Sequence, residues 1–146
     1  MRIIDTSSII FAWDDYPLKQ FPPLWDWIAQ EIRNNELAIS QTAFQEVRKI
    51  NQECADWLDA EGINKIAVSN AILQEALRMQ NLLGIDDDDY HPLGVGENDI
   101  LIVATAKVEN SVLINNEAIQ NNLPKNMKKY KIPGLCGLNS VGVSDT

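Results

Sequence analysis

Carboxylate side chains stand at the ends of apolar segments in this sequence, where they could do chemistry. Asp5 ends one short apolar run, Glu117 follows another, and Asp99 opens the most apolar helical segment of the chain. Glu46 lies at the border of the buried face of a further helix. Buried carboxylates are costly unless they are paired or bind a metal, and the basic residues are few and mostly placed elsewhere. Hard oxygen ligands of this kind suit Mg²⁺ or Mn²⁺, and four of them could hold one or two ions.

Such ions would orient a water, lower its pKa and stabilise the charge that develops on a phosphodiester. Metal-assisted hydrolysis is therefore the reaction class that these residue types favour. Each acid taken alone has another interpretation. Asp5 could simply cap a turn or a helix. Asp99 and Glu117 could be acids that favour a helix start, and Glu46 could be a solvated helix residue.

Glu97 is a further acid, two residues before Asp99 in the sequence. Side chains two apart in a helix point about 200° away from each other, so Glu97 faces the same site only if it lies before the helix begins. Other chemistries find less support in the sequence. The single histidine does not build a Ser-His-Asp triad, and Gly94-Val95-Gly96 is too short for a phosphate-binding glycine loop.

Short apolar runs alternate with helical patterns, which predicts a parallel sheet with helices on both faces. The expected fold class is α/β, a three-layer α/β/α sandwich around a central, mostly parallel sheet. Ligands of such sheets bind beyond the carboxyl ends of the strands, which is where the acids are expected. The predicted strands are Arg2–Ile4, Ile66–Val68, Ser111–Ile114 and Tyr130–Ile132. The predicted helices are Leu24–Asn34, Ile100–Val108 and Glu117–Leu123, together with one helix from an N-cap at Thr42 to Leu58 and one from Ser69 to Leu83 that is closed by Gly84.

Length and composition set the broad class. The chain of 146 residues, 45% of them hydrophobic, is long enough to bury a core as a single globular domain over residues 1–146. We find no run of the roughly 18 apolar residues that a membrane span needs, and expect no signal peptide. Cys54 and Cys136 match no metal or redox spacing, which predicts reduced thiols in a cytoplasmic protein. The net charge of −9 favours basic partners or cations.

Several segments resemble the PIN-domain nucleases, and together they cover nearly the whole chain. IIDTSSII is similar to the strand that leads into their Asp-Thr-Asn/Ser motif, and AFQEVRKI resembles their mid-chain helix with its glutamate. GENDILIVATAKVENSVLINNE resembles their D-x-x-I-x-A-x-A helix, the strand after it and a final acid. FPPLWDWI and KIPGLCGLN are similar to a PIN-like subgroup of VapC-like, toxin-type proteins with a C-terminal KIP-x-x-C motif.

The resemblance implies a PIN-like domain that acts as a Mg²⁺- or Mn²⁺-dependent endoribonuclease in the cytoplasm. Many PIN proteins are toxins neutralised by a small antitoxin, and many form homodimers. The expected partners are therefore an RNA substrate, a cognate antitoxin protein and a second copy of the chain, with no membrane. The acids that the family places at the metal and in catalysis correspond to Asp5, Glu46, Asp99 and Glu117.

Three polar residues correspond to positions that support the family's acids through hydrogen bonds. Thr6 or Ser7 would be the supporting hydroxyl after the first acid. Asn115 stands where the family usually has Thr or Ser before the last acid, and Glu117 stands where Asp is commoner. A longer side chain can still reach a metal, so the resemblance keeps Glu117 as the fourth ligand.

The only basic cluster of the chain is KNMKKYK at residues 125–131. Lys125, Lys128 and Lys129, with Lys131 beside them, are candidate contacts for the RNA backbone, and a solvated basic face is the other interpretation.

A different class of function is also open: a catalytically silent PIN-like binding module that docks a basic protein partner through its acidic face. Stabilisation by Mn²⁺ in a thermal melt would favour the metal site, and no shift would favour the binding module.

Overall fold

The computed structural model describes residues 1–86, 89–117, 122–139 and 141–144. Within these ranges, five strands form one sheet in the order β3-β2-β1-β4-β5. The strands are β1 Arg2–Ile4, β2 Leu37–Ser40, β3 Asn64–Ile66, β4 Val112–Ile114 and β5 Val143–Ser144. The helices are α1 Thr6–Asp15, α2 Pro22–Arg33, α3 Gln41–Ile50, α4 Gln52–Ala60, α5 Asn70–Leu82, α6 Glu97–Val108 and α7 Ile132–Leu138, with a 3₁₀ turn at Met127–Lys129.

The predicted three-layer α/β/α fold is confirmed, and every pairing between the described strands is parallel. β1 lies at the centre of the sheet, where Ile3 pairs with Ala38 of β2 and Leu113 of β4. Because the strands run in one direction, the residues that follow β1 and β4 emerge at the same edge of the sheet. Asp5 and Asn115 are these residues.

Local sequence explains where two of the predicted helices begin and end. Pro22 and Pro23 open α2, where a missing N–H costs nothing because a helix start leaves it unpaired. The Ser69 side chain accepts the N–H of Ile72 and so caps α5, as predicted. Gly84 follows this helix with a φ of +76°, a left-handed conformation that suits glycine. These two helices lie within two residues of their predicted bounds.

α6 runs through the core and is buried on nearly all sides. Ile102, Val103, Ala104 and Ala106 are fully buried, and the helix packs against α3, α5 and α7. This surrounding explains why its sequence shows no polar face. The first turn of α6, which carries Asp99, is thereby held in place by the packing of the whole helix.

The strands of the sheet differ from the prediction at β2 and at β3. No strand is predicted at Leu37–Ser40, yet this segment is β2 and is buried at every residue. β3 is found at Asn64–Ile66, two residues before its predicted position. Ser40 then caps α3 by accepting the N–H of Ala43, so the predicted N-cap at Thr42 is wrong.

The predicted single helix through residue 58 is also wrong, because it is divided into α3 and α4. Asn51 leaves the helical conformation, and its side chain accepts the N–H of Cys54 to cap α4. Ile50, which has the spacing of an apolar helix face with Val47 and Cys54, is 62% exposed at the break. The break leaves α3 as a short, separately capped helix.

The strand predicted at Tyr130–Ile132 is wrong as well. Tyr130 ends the 3₁₀ turn, and α7 begins at Ile132 with Pro133 in its first turn. The helix predicted from Glu117 to residue 123 lies largely outside the described residues, and Glu117 itself stands in a bend.

The two cysteines, Cys54 and Cys136, are buried free thiols. Burial raises the pKa of each thiol to about 12, so both stay protonated at neutral pH. None of the helices in the described ranges combines the length and the apolar composition that crossing a membrane requires.

Candidate functional site

Asp5 is held at the edge of the sheet by four hydrogen bonds. Its N–H donates to the Ile114 carbonyl oxygen at 2.9 Å. Its Oδ1 accepts the N–H of Thr6 at 2.7 Å, so Asp5 does cap α1. Its Oδ2 accepts the Ser7 hydroxyl at 2.9 Å and the Asn115 side-chain amide at 2.7 Å. The residue is only 3% exposed, and its carboxylate is therefore fixed and largely out of water.

Asn115 connects the first acid to the last. Its Nδ2 donates to Asp5, and its Oδ1 accepts the N–H of Glu117 at 2.8 Å. The residue is 1% exposed. One buried amide thus bridges the acid that follows β1 and the segment that follows β4.

Glu46 reaches the site from α3. The Thr6 hydroxyl donates to Glu46 Oε1 at 2.8 Å and lies 3.5 Å from the Ala43 carbonyl oxygen. Thr6 and Ser7 therefore serve different acids, although they are adjacent: Ser7 donates to Asp5, and Thr6 donates to Glu46. Each hydroxyl orients one carboxylate.

Asp99 lies in the first turn of α6 and accepts the N–H of Gly96 at 3.0 Å. Burial raises the pKa of this carboxyl, the Gly96 hydrogen bond lowers it, and the negative charge of Glu46 raises it further. Glu97 is the first residue of α6 and is exposed, so the structure does not place it with Asp99. The two side chains diverge as expected for residues two apart in one helix.

Glu117 is anchored from its other side by the start of α7. Its Oε2 accepts the N–H of Ile132 at 3.2 Å. Burial raises the pKa of this carboxyl, and the charges of Asp99 and Asp5 raise it further, against the lowering effects of the Ile132 hydrogen bond and of Lys131.

We call Asp5, Glu46, Asp99 and Glu117 the acid cluster. Burial also raises the pKa of Asp5, since the hydrogen bonds from Ser7, Thr6 and Asn115 compensate only in part, and Asp99 adds to the rise. The four side chains are therefore close enough to feel one another's charge. Three desolvated carboxyls that repel one another favour a proton or a bound cation.

The side chains as they stand do not form a metal-coordinating group. Among the described residues, no three side chains of His, Cys, Asp or Glu are arranged to hold one ion. Each acid of the cluster instead accepts a hydrogen bond from the protein. The donor chemistry nevertheless fits Mg²⁺ or Mn²⁺, because the donors are hard oxygens, desolvated and mutually repelling.

The candidate lysines lie on the segment that leads to α7, before the Ile132 N–H that holds Glu117. Lys128 Nζ donates to Asp89 Oδ2 at 2.8 Å. Lys125 is exposed and Lys129 is half-exposed. Lys131 is also exposed, and its charge reaches Glu117.

Two backbone hydrogen-bond donors of the site were not predicted from the sequence. The N–H groups of Gly96 and Ile132 hold Asp99 and Glu117, and backbone groups leave no direct mark on a sequence. A signal existed only for Ile132, because a proline at the next position is typical of the first turn of a helix.

The fold of this chain has a counterpart among solved structures. The chain is similar in fold to the crystal structure of VapBC2 from Rickettsia felis bound to a DNA fragment from their promoter, with a TM-score of 0.62. The similarity covers 99% of this chain and 98% of that chain at 18% sequence identity, so it concerns the fold alone. It agrees with the VapC-like resemblance, whereas the KIP-x-x-C subgroup stays a prediction.

A comparison with curated proteins finds no match. The family model described as "Domain of unknown function (DUF4411)" matches residues 3–146. The chain therefore belongs to the DUF4411 family.

Proposed function

We propose that this protein is a Mg²⁺- or Mn²⁺-dependent endoribonuclease and the toxin of a toxin–antitoxin pair that acts in the cytoplasm. The observation that carries the proposal is the acid cluster at the carboxyl edge of the sheet. Its Asp5, Asp99 and Glu117 carboxyls are desolvated and repel one another, so a divalent cation would relieve a real energetic cost. Similarity in fold to VapBC2 supports the same proposal.

Asp5, Glu46 and Asp99 would hold the first ion, and Glu117 would help with a second ion or its water shell. When bound, such an ion acidifies a water and stabilises the charge on a phosphodiester. The residues around the acids keep them oriented: Ser7 and Asn115 hold Asp5, and Thr6 holds Glu46.

Asp99→Asn is the sharpest test, because Asn keeps an oxygen that can accept the Gly96 N–H while the negative charge is lost. We expect Mn²⁺-dependent RNA cleavage to fall by more than about 100-fold, since changes to groups that merely orient ligands cost 10- to 100-fold. Asp5→Asn should behave alike, and both should relieve growth arrest on expression. Glu97→Gln, which removes an exposed charge from the same helix turn, is the control and should cleave normally. Cleavage by both acid variants at the parent's rate would refute the proposed site.

The alternative is a catalytically silent PIN-like module that docks a basic protein. It is favoured by the net charge of −9 and by acids that do not stand as a coordinating group in the described residues. A thermal melt separates the two functions. A true site at 100 times its Kd for Mn²⁺ gains about 2.7 kcal/mol of stability, whereas the binding module would gain none.

An antitoxin has a candidate surface in an apolar groove of about 320 Å³ between α1 and α2. Phe11, Tyr16 and Trp27 line it and are 39%, 42% and 50% exposed. Exposed apolar patches of this kind mark surfaces that bind other proteins. A homodimer, the other association that the resemblance implies, stays a prediction that light scattering of the purified chain would test.

Trp27→Glu should weaken binding of the protein encoded beside this one by at least about 2 kcal/mol, the loss typical of an aromatic hot spot. Leu77→Glu is the matched control, because Leu77 is 59% exposed on α5 and lies outside the groove. Titration calorimetry would measure both. Equal losses in the two variants would remove the groove from the proposal.

A further inference from the structure

The basic segment, residues 125–131, is built into the support of the acid cluster on two sides. The N–H of Val95 donates to the Tyr130 carbonyl oxygen at 2.9 Å. A Cβ on Gly94 would lie 1.8 Å from the Lys128 carbonyl oxygen, so the two backbones meet where only glycine fits. This loop continues directly to Gly96, whose N–H holds Asp99.

On its other side the basic segment runs into Ile132, whose N–H holds Glu117. The segment therefore spans from the loop that supports Asp99 to the acid that follows β4. Backbone groups of the segment set its position relative to the acid cluster, and the Lys128–Asp89 ion pair adds one side-chain contact.

The charge of this segment contrasts with the rest of the molecule. The chain carries 21 acidic residues against 12 lysines and arginines, and four of those lysines fall within seven positions here. Lys131 is near enough to Glu117 for its charge to act on that carboxyl. Lys128 donates to Asp89. Lys125 and Lys131 are exposed and Lys129 is half-exposed, so a ligand can reach these three side chains.

We propose that Lys125, Lys129 and Lys131 contact RNA phosphates and hold the backbone of the substrate against the acid cluster. The proposal rests on the proposed ribonuclease function and names where its substrate binds. A polyanion that approaches a protein of net charge −9 needs a cationic border next to the acids. Phosphate contacts position a strand without reading its sequence, and lysine ammonium groups on flexible stems suit that task.

The test measures binding of a short single-stranded RNA by fluorescence anisotropy, with a phosphorothioate backbone and Mn²⁺ present, across about 50 to 200 mM salt. Lys125→Gln, Lys129→Gln and Lys131→Gln are compared with the parent. Each lost phosphate contact should reduce the slope of log K against log salt by about 0.7, which corresponds to about fivefold weaker binding at 0.1 M salt. A merely structural role would not change this slope.

Lys19→Gln is the matched control. Lys19 is exposed and lies in the connection that follows α1, and α1 itself extends about 15 Å from its cap at Asp5. It should bind RNA as the parent does. Parent-like slopes in the three variants, or an equal loss in Lys19→Gln, would overturn the proposal. Unchanged RNA binding in the three variants, together with weaker binding of the protein encoded beside this one, would also overturn the proposal. Since binding is measured apart from cleavage, an RNA-binding parent that never cleaves would refute the ribonuclease function instead.

Discussion

Asn115 is a neutral residue that orients the first acid of the acid cluster. Its amide donates to Asp5 and accepts from the Glu117 backbone, so the same side chain cannot be replaced by a pure donor or a pure acceptor without loss. Because it is uncharged, it orients Asp5 without adding a counter-charge. Its hydrogen bond lowers the pKa of Asp5 against the rise that burial causes.

Asn115→Asp should destabilise the protein progressively as pH rises from about 4 to 6, between the ordinary carboxyl pKa and one raised by about two units. The new carboxylate would stand where the amide now lies, 2.7 Å from Asp5 Oδ2, and two carboxylates at that separation cannot both ionise. A rise of two pKa units costs about 2.7 kcal/mol at neutral pH. Urea unfolding at several pH values would measure it, and Asn116→Asp, on the exposed neighbour, should show little change. Equal behaviour of the two variants would contradict this account of Asn115.

That Asp5, Asp99 and Glu117 come together was predictable, because they flank apolar runs, whereas Glu46 was predicted from its position at the border of a helix's buried face. The hydrogen bonds that hold them were not. Gly96 and Ile132 act through backbone N–H groups whose direction depends on how a loop and a short helix pack, and packing is not encoded at single positions. That Thr6 donates to Glu46 while Ser7 donates to Asp5 likewise depends on where α3 lies.

At the scale of elements, α3 has the closest link between a helix cap and the site. Ser40 ends β2 and caps α3, which carries Glu46 one and a half turns later. The cap is fully buried. The position of Glu46 therefore depends on how firmly the first turn of α3 is held to the end of β2.

Ser40→Ala and Ser69→Ala remove equivalent caps from α3 and α5, so each should cost about 1 kcal/mol of unfolding free energy. Only α3 carries an acid of the cluster, and thus only Ser40→Ala should also reduce the thermal shift that Mn²⁺ produces. Melts with Mn²⁺ and with EDTA would measure both effects. A Mn²⁺ shift reduced equally in both variants would mean that the caps act through general stability.

The errors in element prediction have a common physical cause. Val47, Cys54 and Leu58 keep a helical spacing across Asn51, so the pattern reads as one helix although the backbone breaks there. β2 is only four residues long and buried on both faces, which removes the alternation that marks a strand. Only the tertiary structure decides such cases.

At the scale of the whole molecule, the acid cluster makes stability depend on pH. The folded pKa values of Asp5 and Asp99 lie above the ordinary 3.8, and that of Glu117 lies above 4.5. Between the ordinary and the raised values, the folded protein binds more protons than the unfolded chain. Unfolding free energy therefore falls as pH rises through the raised pKa values. The Glu75–Arg78 pair near the surface acts in the opposite sense, but solvent screens it.

We expect the melting temperature in EDTA to decline as pH rises from the ordinary carboxyl pKa values through the raised ones, and Mn²⁺ to remove the decline by binding the ionised acids. The difference between the two melting curves should therefore widen as pH rises. Melts at a series of pH values would measure it. A melting temperature in EDTA that rises over the same range would contradict the placement of the three carboxyls.

The central position of β1 has a consequence for the order in which the protein is made. Asn115, the hydrogen-bond partner of Asp5, is synthesised 110 residues after it. At about 5 to 20 residues per second, that interval lasts roughly 5 to 20 s. Until it has passed, the acid cluster is incomplete, because Glu117 has not yet been synthesised. A chain that stops before residue 117 therefore lacks the assembled acid cluster.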